Sequence, residues 1–220
     1  MSDLRIDLNI ALLPSPDLAR QLVAASRKFA DHYRAIVRLD DPGHRLSLAP
    51  HLTLYQVPVP LAGLARLHDG LRGLARSGRR VTLACTGLAY NAGEASLEAR
   101  TDVPGELVGL QRAVIELANP IRGGLCLDRD PAGNSLADLS ADAGELGGNI
   151  KDTGYAEVGG LFRPHDTLNW FKPDTHVDEG AMESMVNLAT LSGTYTALGL
   201  FVLGPYGTCP QLLAGYEFEG

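Results

Sequence analysis

The chain has 220 residues, of which 45% are hydrophobic and 20% charged, a composition typical of a globular protein with a sizeable core. Its formal net charge of −7 argues against an extended nucleic-acid binding surface, although a small nucleotide or an RNA end in a local pocket stays possible. No apolar run reaches the roughly 18 residues of a transmembrane helix, and the start lacks a signal-peptide pattern, so we expect a cytoplasmic protein without a membrane partner.

The first elements in chain order are a strand, a helix and two extended stretches. Apolar and polar residues alternate over residues 4–10, which predicts a half-buried strand. Ser15 followed by Pro16 predicts the N-cap and first turn of a helix. Residues 35–39 and 46–57 are predicted to be extended.

The middle of the chain alternates helices with short strands. A stripe of leucines over 61–74 predicts an amphipathic helix. Strands are predicted at 81–85 and 96–100, with a turn at 91–94 before the second of them, and Pro104 opens another helix.

The last third begins with a segment of different character, residues 128–160. It is rich in Gly and Asp and has no sustained periodicity, so we expect a long irregular insert. A helix is predicted from about residue 178, followed by strands near 194–204 and 211–218.

Two short segments share a pattern, Pro50-His51-Leu52-Thr53-Leu54 and Pro164-His165-Asp166-Thr167-Leu168. On a strand, residues two apart point to the same face, so each segment presents an imidazole beside a hydroxyl. Each segment is followed by helix, strand, strand in the predicted order, which indicates two related halves with antiparallel pairing, an α+β protein. Two converging strands would surround one ligand with two acid/base groups and two hydroxyls, a set that suits attack at phosphorus.

With these two motifs the chain resembles the 2H phosphoesterase superfamily, which includes bacterial 2′-5′ RNA ligase-like proteins and cyclic nucleotide phosphodiesterases. The resemblance covers nearly the whole chain. It implies a single bilobal domain over 1–220: two pseudo-symmetric lobes of antiparallel sheet with outer helices around a central cleft, interrupted by the insert at 128–160.

The resemblance also implies an activity and its residues. Family members act without a metal or other cofactor on a 2′,3′-cyclic phosphate or a 2′-5′ phosphodiester. Carried over, His51 and His165 are the general acid and base, in an order that the sequence does not assign. Thr53 and Thr167 donate to the phosphate oxygens. The expected substrate is a small nucleotide or an RNA end, while the oligomeric state stays open.

Strand alternation extends the predicted site, provided that no bulge interrupts it. Tyr55 would then face the cleft and stack on a base, Arg163 would pair with phosphate, and Asn169 would face the substrate. Asp166 would point away from the cleft, where a buried carboxylate needs a partner or water.

Two other functions fit the same residues. One is an enzyme that uses both histidines on a different small molecule, and the other is a module that binds a nucleotide without turnover. The three cysteines, Cys85, Cys126 and Cys209, are too few and too scattered for a disulfide framework or a four-cysteine zinc site.

Overall fold

The computed structural model describes residues 4–39, 48–172 and 174–220, so residues 46 and 47 of one predicted extended stretch lie outside the described residues. The described chain is a nine-stranded antiparallel sheet with helices packed on it, which confirms the predicted α+β class. The strands are β1 (Arg5–Pro14), β2 (Val37–Arg38), β3 (Leu52–Pro60), β4 (Val81–Leu83), β5 (Cys85–Asn91), β6 (Ser96–Thr101), β7 (His165–Trp170), β8 (Gly193–Val202) and β9 (Gln211–Glu217). The helices are α1 (Pro16–Tyr33), α2 (Leu64–Ser77), α3 (Gly105–Arg122), α4 (Leu136–Leu139), α5 (Glu145–Thr153) and α6 (Glu179–Met185).

The sheet runs in the order β4-β8-β1-β3-β7-β6-β5, with β9 also on β8 and β2 also on β7. The two motif strands, β3 and β7, lie side by side at its centre and meet at one residue pair, Leu52 opposite Asp166. The strands exchange between the halves, because β5 and β6 follow His51 in sequence but lie beside β7. In return, β8 and β9 follow His165 but lie on the side of β1 and β3.

The larger helices cover the sheet from outside. Helix α1 begins at the predicted cap, where the Ser15 side chain accepts from the Leu18 amide, and Ser26 of this helix donates to the Leu168 carbonyl of β7 at 2.8 Å. Helix α3 contacts β3, where the buried Gln111 donates to the Leu54 carbonyl at 3.2 Å. Every helix within the described ranges is too short or too polar to cross a bilayer.

The segment 128–160 departs from the predicted irregular structure, because it contains α4 and α5. Ser135 caps α4 with its hydroxyl, and Gly154, at φ +75°, ends α5 in the left-handed conformation. The two helices are short, and Leu136 and Ile150 are their buried apolar side chains. One buried apolar side chain in each helix is too few to produce a helical period in the sequence, which explains why the prediction missed both helices.

Candidate active site

The two His-Thr pairs converge on one pocket at the centre of the sheet. Because Leu52 pairs with Asp166 in an antiparallel ladder, each motif's histidine lies next to the other motif's threonine. His51, Thr53, His165 and Thr167 all line the same cleft.

Both histidines are held in the same way by the chain that precedes them. The Nδ1 of His51 lies 2.7 Å from the carbonyl oxygen of Ala49, and the Nδ1 of His165 lies 2.7 Å from that of Arg163. A carbonyl oxygen only accepts hydrogen bonds, so each Nδ1 carries a hydrogen. In the neutral ring, Nε2 is therefore the basic nitrogen of each histidine.

His51 sits in apolar surroundings. Its side chain is 7% exposed, its ring centroid lies 5.5 Å from that of Phe201, and its Nε2 lies 3.4 Å from Cys209 Sγ. Burial lowers the pKa of His51 to about 4, and burial raises the pKa of the Cys209 thiol to about 12. At neutral pH this pair is thus a neutral imidazole beside a protonated thiol.

Thr53 is oriented by a buried amide that the sequence analysis did not single out. The Asn9 Nδ2 donates to Thr53 Oγ1 at 2.9 Å and to Cys209 Sγ at 3.2 Å. Because Thr53 accepts this bond, its own hydroxyl hydrogen is free to point at a ligand. Alternation had assigned Asn9 to the polar face of β1, and in the structure its side chain is fully buried next to Thr53 and Cys209.

His165 has acidic surroundings. It is less buried than His51, and the carboxylates of Glu94 and Glu157 line the same pocket. Burial, together with the charges of Glu98 and Glu157, raises the pKa of Glu94 to about 6. The Glu94 amide donates to the Asn91 carbonyl at 3.2 Å, whereas its carboxylate has no hydrogen bond or ion pair to another described residue.

Arg163, predicted to pair with phosphate, lies beside the pocket rather than in its lining. Its guanidinium binds Glu98 at 3.3 Å and Glu157 at 2.6 Å. These two ion pairs use part of the five N–H donors of the guanidinium, so the contact of Arg163 with a phosphate stays a prediction.

Tyr55 and Asn169 do not face the cleft, because the ladder slips just after the threonine in both motifs. On β3 the register slips between Thr53 and Tyr55, and on β7 it slips between Thr167 and Asn169. A bulge of this kind moves the following residues to the other phase, so Gln56 lines the pocket where Tyr55 was predicted.

Both displaced side chains are buried and hydrogen-bonded elsewhere. The Tyr55 hydroxyl donates to the Thr153 carbonyl, and the Asn169 amide donates to the Ser26 carbonyl at 3.1 Å and the Val37 carbonyl at 3.3 Å. The two residues join the insert and helix α1 to the sheet, which is a structural part and not a contact with substrate.

Asp166 points away from the cleft, as alternation predicts, and its carboxyl group has a hydrogen-bond partner. The Tyr195 hydroxyl donates to one carboxyl oxygen, while the other oxygen is buried without a partner among the described residues. Burial raises the pKa of Asp166 to about 7, so the carboxyl is largely protonated in mildly acidic solution.

The insert supplies one wall of the pocket and brings more acid. Among the described residues no lysine or arginine lines this cleft, and no three His, Cys, Asp or Glu side chains are arranged to hold a metal ion. The wall consists of Asp130, Pro131, Leu136, Tyr155, Ala156 and Glu157.

Comparison with known proteins identifies the fold. E. coli LigT complexed with phosphate superposes with a TM-score of 0.56 at 15% identity, covering 98% of this chain and 99% of that one. E. coli LigT complexed with 3′-AMP gives 0.57 at 14%, covering 99% and 100%, and a crystal structure of a phosphoesterase gives 0.54 at 13%, with the same coverage. No family model and no curated protein matches the sequence. The chain thus has the LigT-like 2H fold predicted from its two motifs.

Proposed function

We propose that this chain, which has the LigT-like 2H fold, is a phosphoesterase that opens a 2′,3′-cyclic phosphate or cleaves a 2′-5′ phosphodiester without a metal. The observation that supports the proposal is the meeting of His51, Thr53, His165 and Thr167 in one cleft. Each imidazole there has its Nδ1 fixed by a backbone carbonyl and its Nε2 left for proton transfer.

The burial of His51 supports a choice of roles in hydrolysis. His51, with its pKa lowered to about 4, is neutral and takes the proton of the attacking water. His165, the other imidazole of the pocket, is the general acid that gives a proton to the leaving ribose oxygen. The water oxygen bonds to phosphorus as the ribose P–O bond breaks, and the product is a phosphomonoester. Thr53 and Thr167 donate to the non-bridging oxygens, where negative charge develops.

The test is turnover of nucleoside 2′,3′-cyclic phosphates and 2′-5′ dinucleotides in excess chelator. We expect hydrolysis by the wild-type chain and by His176→Gln, a control at an exposed histidine. We expect loss in His51→Gln and His165→Gln. Folded protein without activity on either substrate class would overturn the proposal, and binding without turnover would point to a non-catalytic module.

A second function is favoured by the acidic lining of the cleft. Glu94, Asp130 and Glu157 face a pocket that no described cation lines, which suits a substrate other than a phosphate ester. Two histidines that exchange a proton can act on such a molecule as well. A phosphate-free ligand found between the histidines after purification would support this alternative.

A further inference from the structure

The cleft has two ends of different chemistry. The His-Thr set offers hydroxyl and imidazole donors, Gln56 adds an amide, and Glu94, Glu157 and Asp130 add carboxylates. The carboxylates would repel a ligand that is anionic throughout. The ligand must therefore place hydrogen-bond donors or a positive charge against them.

Glu94 is the acid that is available to a ligand. The carboxylate of Asp130 accepts from the amide and side chain of Asn134 at 2.8 Å, and that of Glu157 binds Arg163. Glu94 has no such partner among the described residues, although burial has removed much of its water. A desolvated acceptor gains most from a donor that a ligand brings.

The turn between β5 and β6 holds Glu94 over the cleft. The Asn91 side chain accepts from the Gly93 amide at 3.2 Å, and Ala95 has the left-handed φ of +52°. A non-glycine residue in that conformation is strained, so packing must hold it there. The Phe171 amide, which donates to the Ala95 carbonyl at 2.8 Å, fixes the turn to the end of β7. The position of Glu94 relative to His165 is therefore set by the sheet.

We infer that Glu94 reads a guanine base, and that the substrate class is a guanosine phosphodiester; the inference rests on the proposed function. An ionised carboxylate only accepts hydrogen bonds, at two oxygens side by side. Guanine presents two adjacent donors, N1–H and the exocyclic amine, on its Watson–Crick edge. Adenine, cytosine and uracil each present a single donor group on that edge, next to an acceptor that a carboxylate repels, so they offer one hydrogen bond where guanine offers two. Tyr155, an aromatic residue that is mostly buried, lines the same wall, so a base held by Glu94 would lie close to it.

The experiment compares kcat/KM for the 2′,3′-cyclic phosphates of the four nucleosides. We expect the guanosine ester to be preferred over the uridine ester by about tenfold or more, the discrimination typical of a bidentate base contact. Glu94→Gln, which presents a donor and an acceptor, should reduce this ratio by about tenfold. Glu116→Gln, at an exposed carboxylate on α3, is the matched control and should keep the ratio.

Protonation of Glu94 gives a second readout on the wild-type chain. Because the pKa of Glu94 is raised to about 6, the guanosine preference should decline as the pH falls below 6. In Glu94→Gln the ratio should not change with pH in that range.

The outcomes separate this inference from the proposed function. Turnover of all four esters at similar rates, or an unchanged ratio in Glu94→Gln, would overturn the guanine assignment and leave the phosphoesterase standing. Turnover of none of the four esters, together with no cleavage of 2′-5′ dinucleotides, would overturn the phosphoesterase. In that case, equilibrium binding of 3′-GMP against 3′-UMP decides the base assignment by itself, because equal affinities would contradict it.

Discussion

The two motif strands make the same backbone contacts and have opposite surroundings. Each histidine places its Nδ1 2.7 Å from the carbonyl two residues before it, and each strand bulges just after its threonine. Yet His51 lies against Phe201 and Cys209, whereas His165 shares its pocket with Glu94 and Glu157. The repeated backbone thus sets where the two imidazoles stand, and burial lowers the pKa of one of them, His51, so that its ring is neutral.

The largest effect that tests this comparison is removal of either imidazole. His51→Gln and His165→Gln should each lower kcat by about 100- to 10,000-fold, the usual contribution of a general acid or base. Because the two groups act on one proton path, the double variant should be little worse than the poorer single variant. Steady-state rates on a cyclic phosphate measure this. A loss of less than tenfold for one histidine would show that the two histidines do not contribute equally to catalysis.

The next effect is the difference in protonation between the two rings. Burial lowers the pKa of His51 from 6.5 to about 4, so the ring should stay neutral until the pH falls well below 5. The Cε1 proton resonance followed by NMR, assigned by its absence in His51→Gln, measures this directly. The acid limb of kcat/KM should lie at the same pH, and that of kcat should lie higher, because bound phosphate favours imidazolium. A midpoint near pH 6.5 for the His51 resonance in the free protein would contradict the lowered pKa of this ring.

The parts of the fold that could be predicted from sequence depend on local pattern. The strands at 4–10 and 96–100, the Ser15 cap and the pairing of two His-x-Thr strands follow from alternation, capping and repetition. The exchange of β5 and β6 for β8 and β9 does not, since strand order depends on long-range packing that one sequence does not encode in any window.

The parts of the site that could not be predicted share a physical cause. A bulge is invisible in the sequence, so alternation carried Tyr55 and Asn169 onto the wrong face. The ion pairs of Arg163 are equally invisible in the sequence. Glu98 lies 65 residues away on β6, and the pairing with Glu157, six residues away, depends on the loop between them. The motif therefore predicted which four side chains share one cleft, whereas alternation beyond each threonine placed Tyr55 and Asn169 on the wrong face.

A smaller effect tests the faces of the two motif strands that point away from the cleft, where Leu52 and Asp166 hold the same position in their motifs. The folded pKa of Asp166 is raised to about 7, from an ordinary value of 3.8, so the folded chain holds this proton longer than the unfolded chain. Its contribution to stability is then fully present below pH 3.8 and is lost as the pH rises through 7. Asp166→Asn keeps an acceptor for the Tyr195 hydroxyl and cannot ionise.

Urea unfolding of both proteins at pH 5 and pH 8 measures this contribution. Between these pH values the wild-type chain should lose about 2 kcal/mol of unfolding free energy relative to Asp166→Asn. The difference between the two proteins cancels the titration of other groups, including His51. Parallel changes in both proteins would mean that Asp166 keeps one protonation state between pH 5 and pH 8, which would contradict a pKa near 7.

The smallest effect concerns the threonines, since Thr53 accepts a hydrogen bond from Asn9 and Thr167 has no side-chain hydrogen bond among the described residues. Asn9→Leu removes the donor, fills the same space and also removes a buried amide oxygen that has no described partner, so the fold should tolerate it. We expect kcat to fall about tenfold, less than the roughly 100-fold typical of deleting an oxyanion donor outright as in Thr53→Val.

If Asn9 acts only by orienting the Thr53 hydroxyl, Asn9→Leu should have no further effect on kcat in a Thr53→Val background. Independent losses in the double variant would instead show that Asn9 acts through Cys209 and His51, and the two hydroxyls would then be equivalent in spite of their different partners.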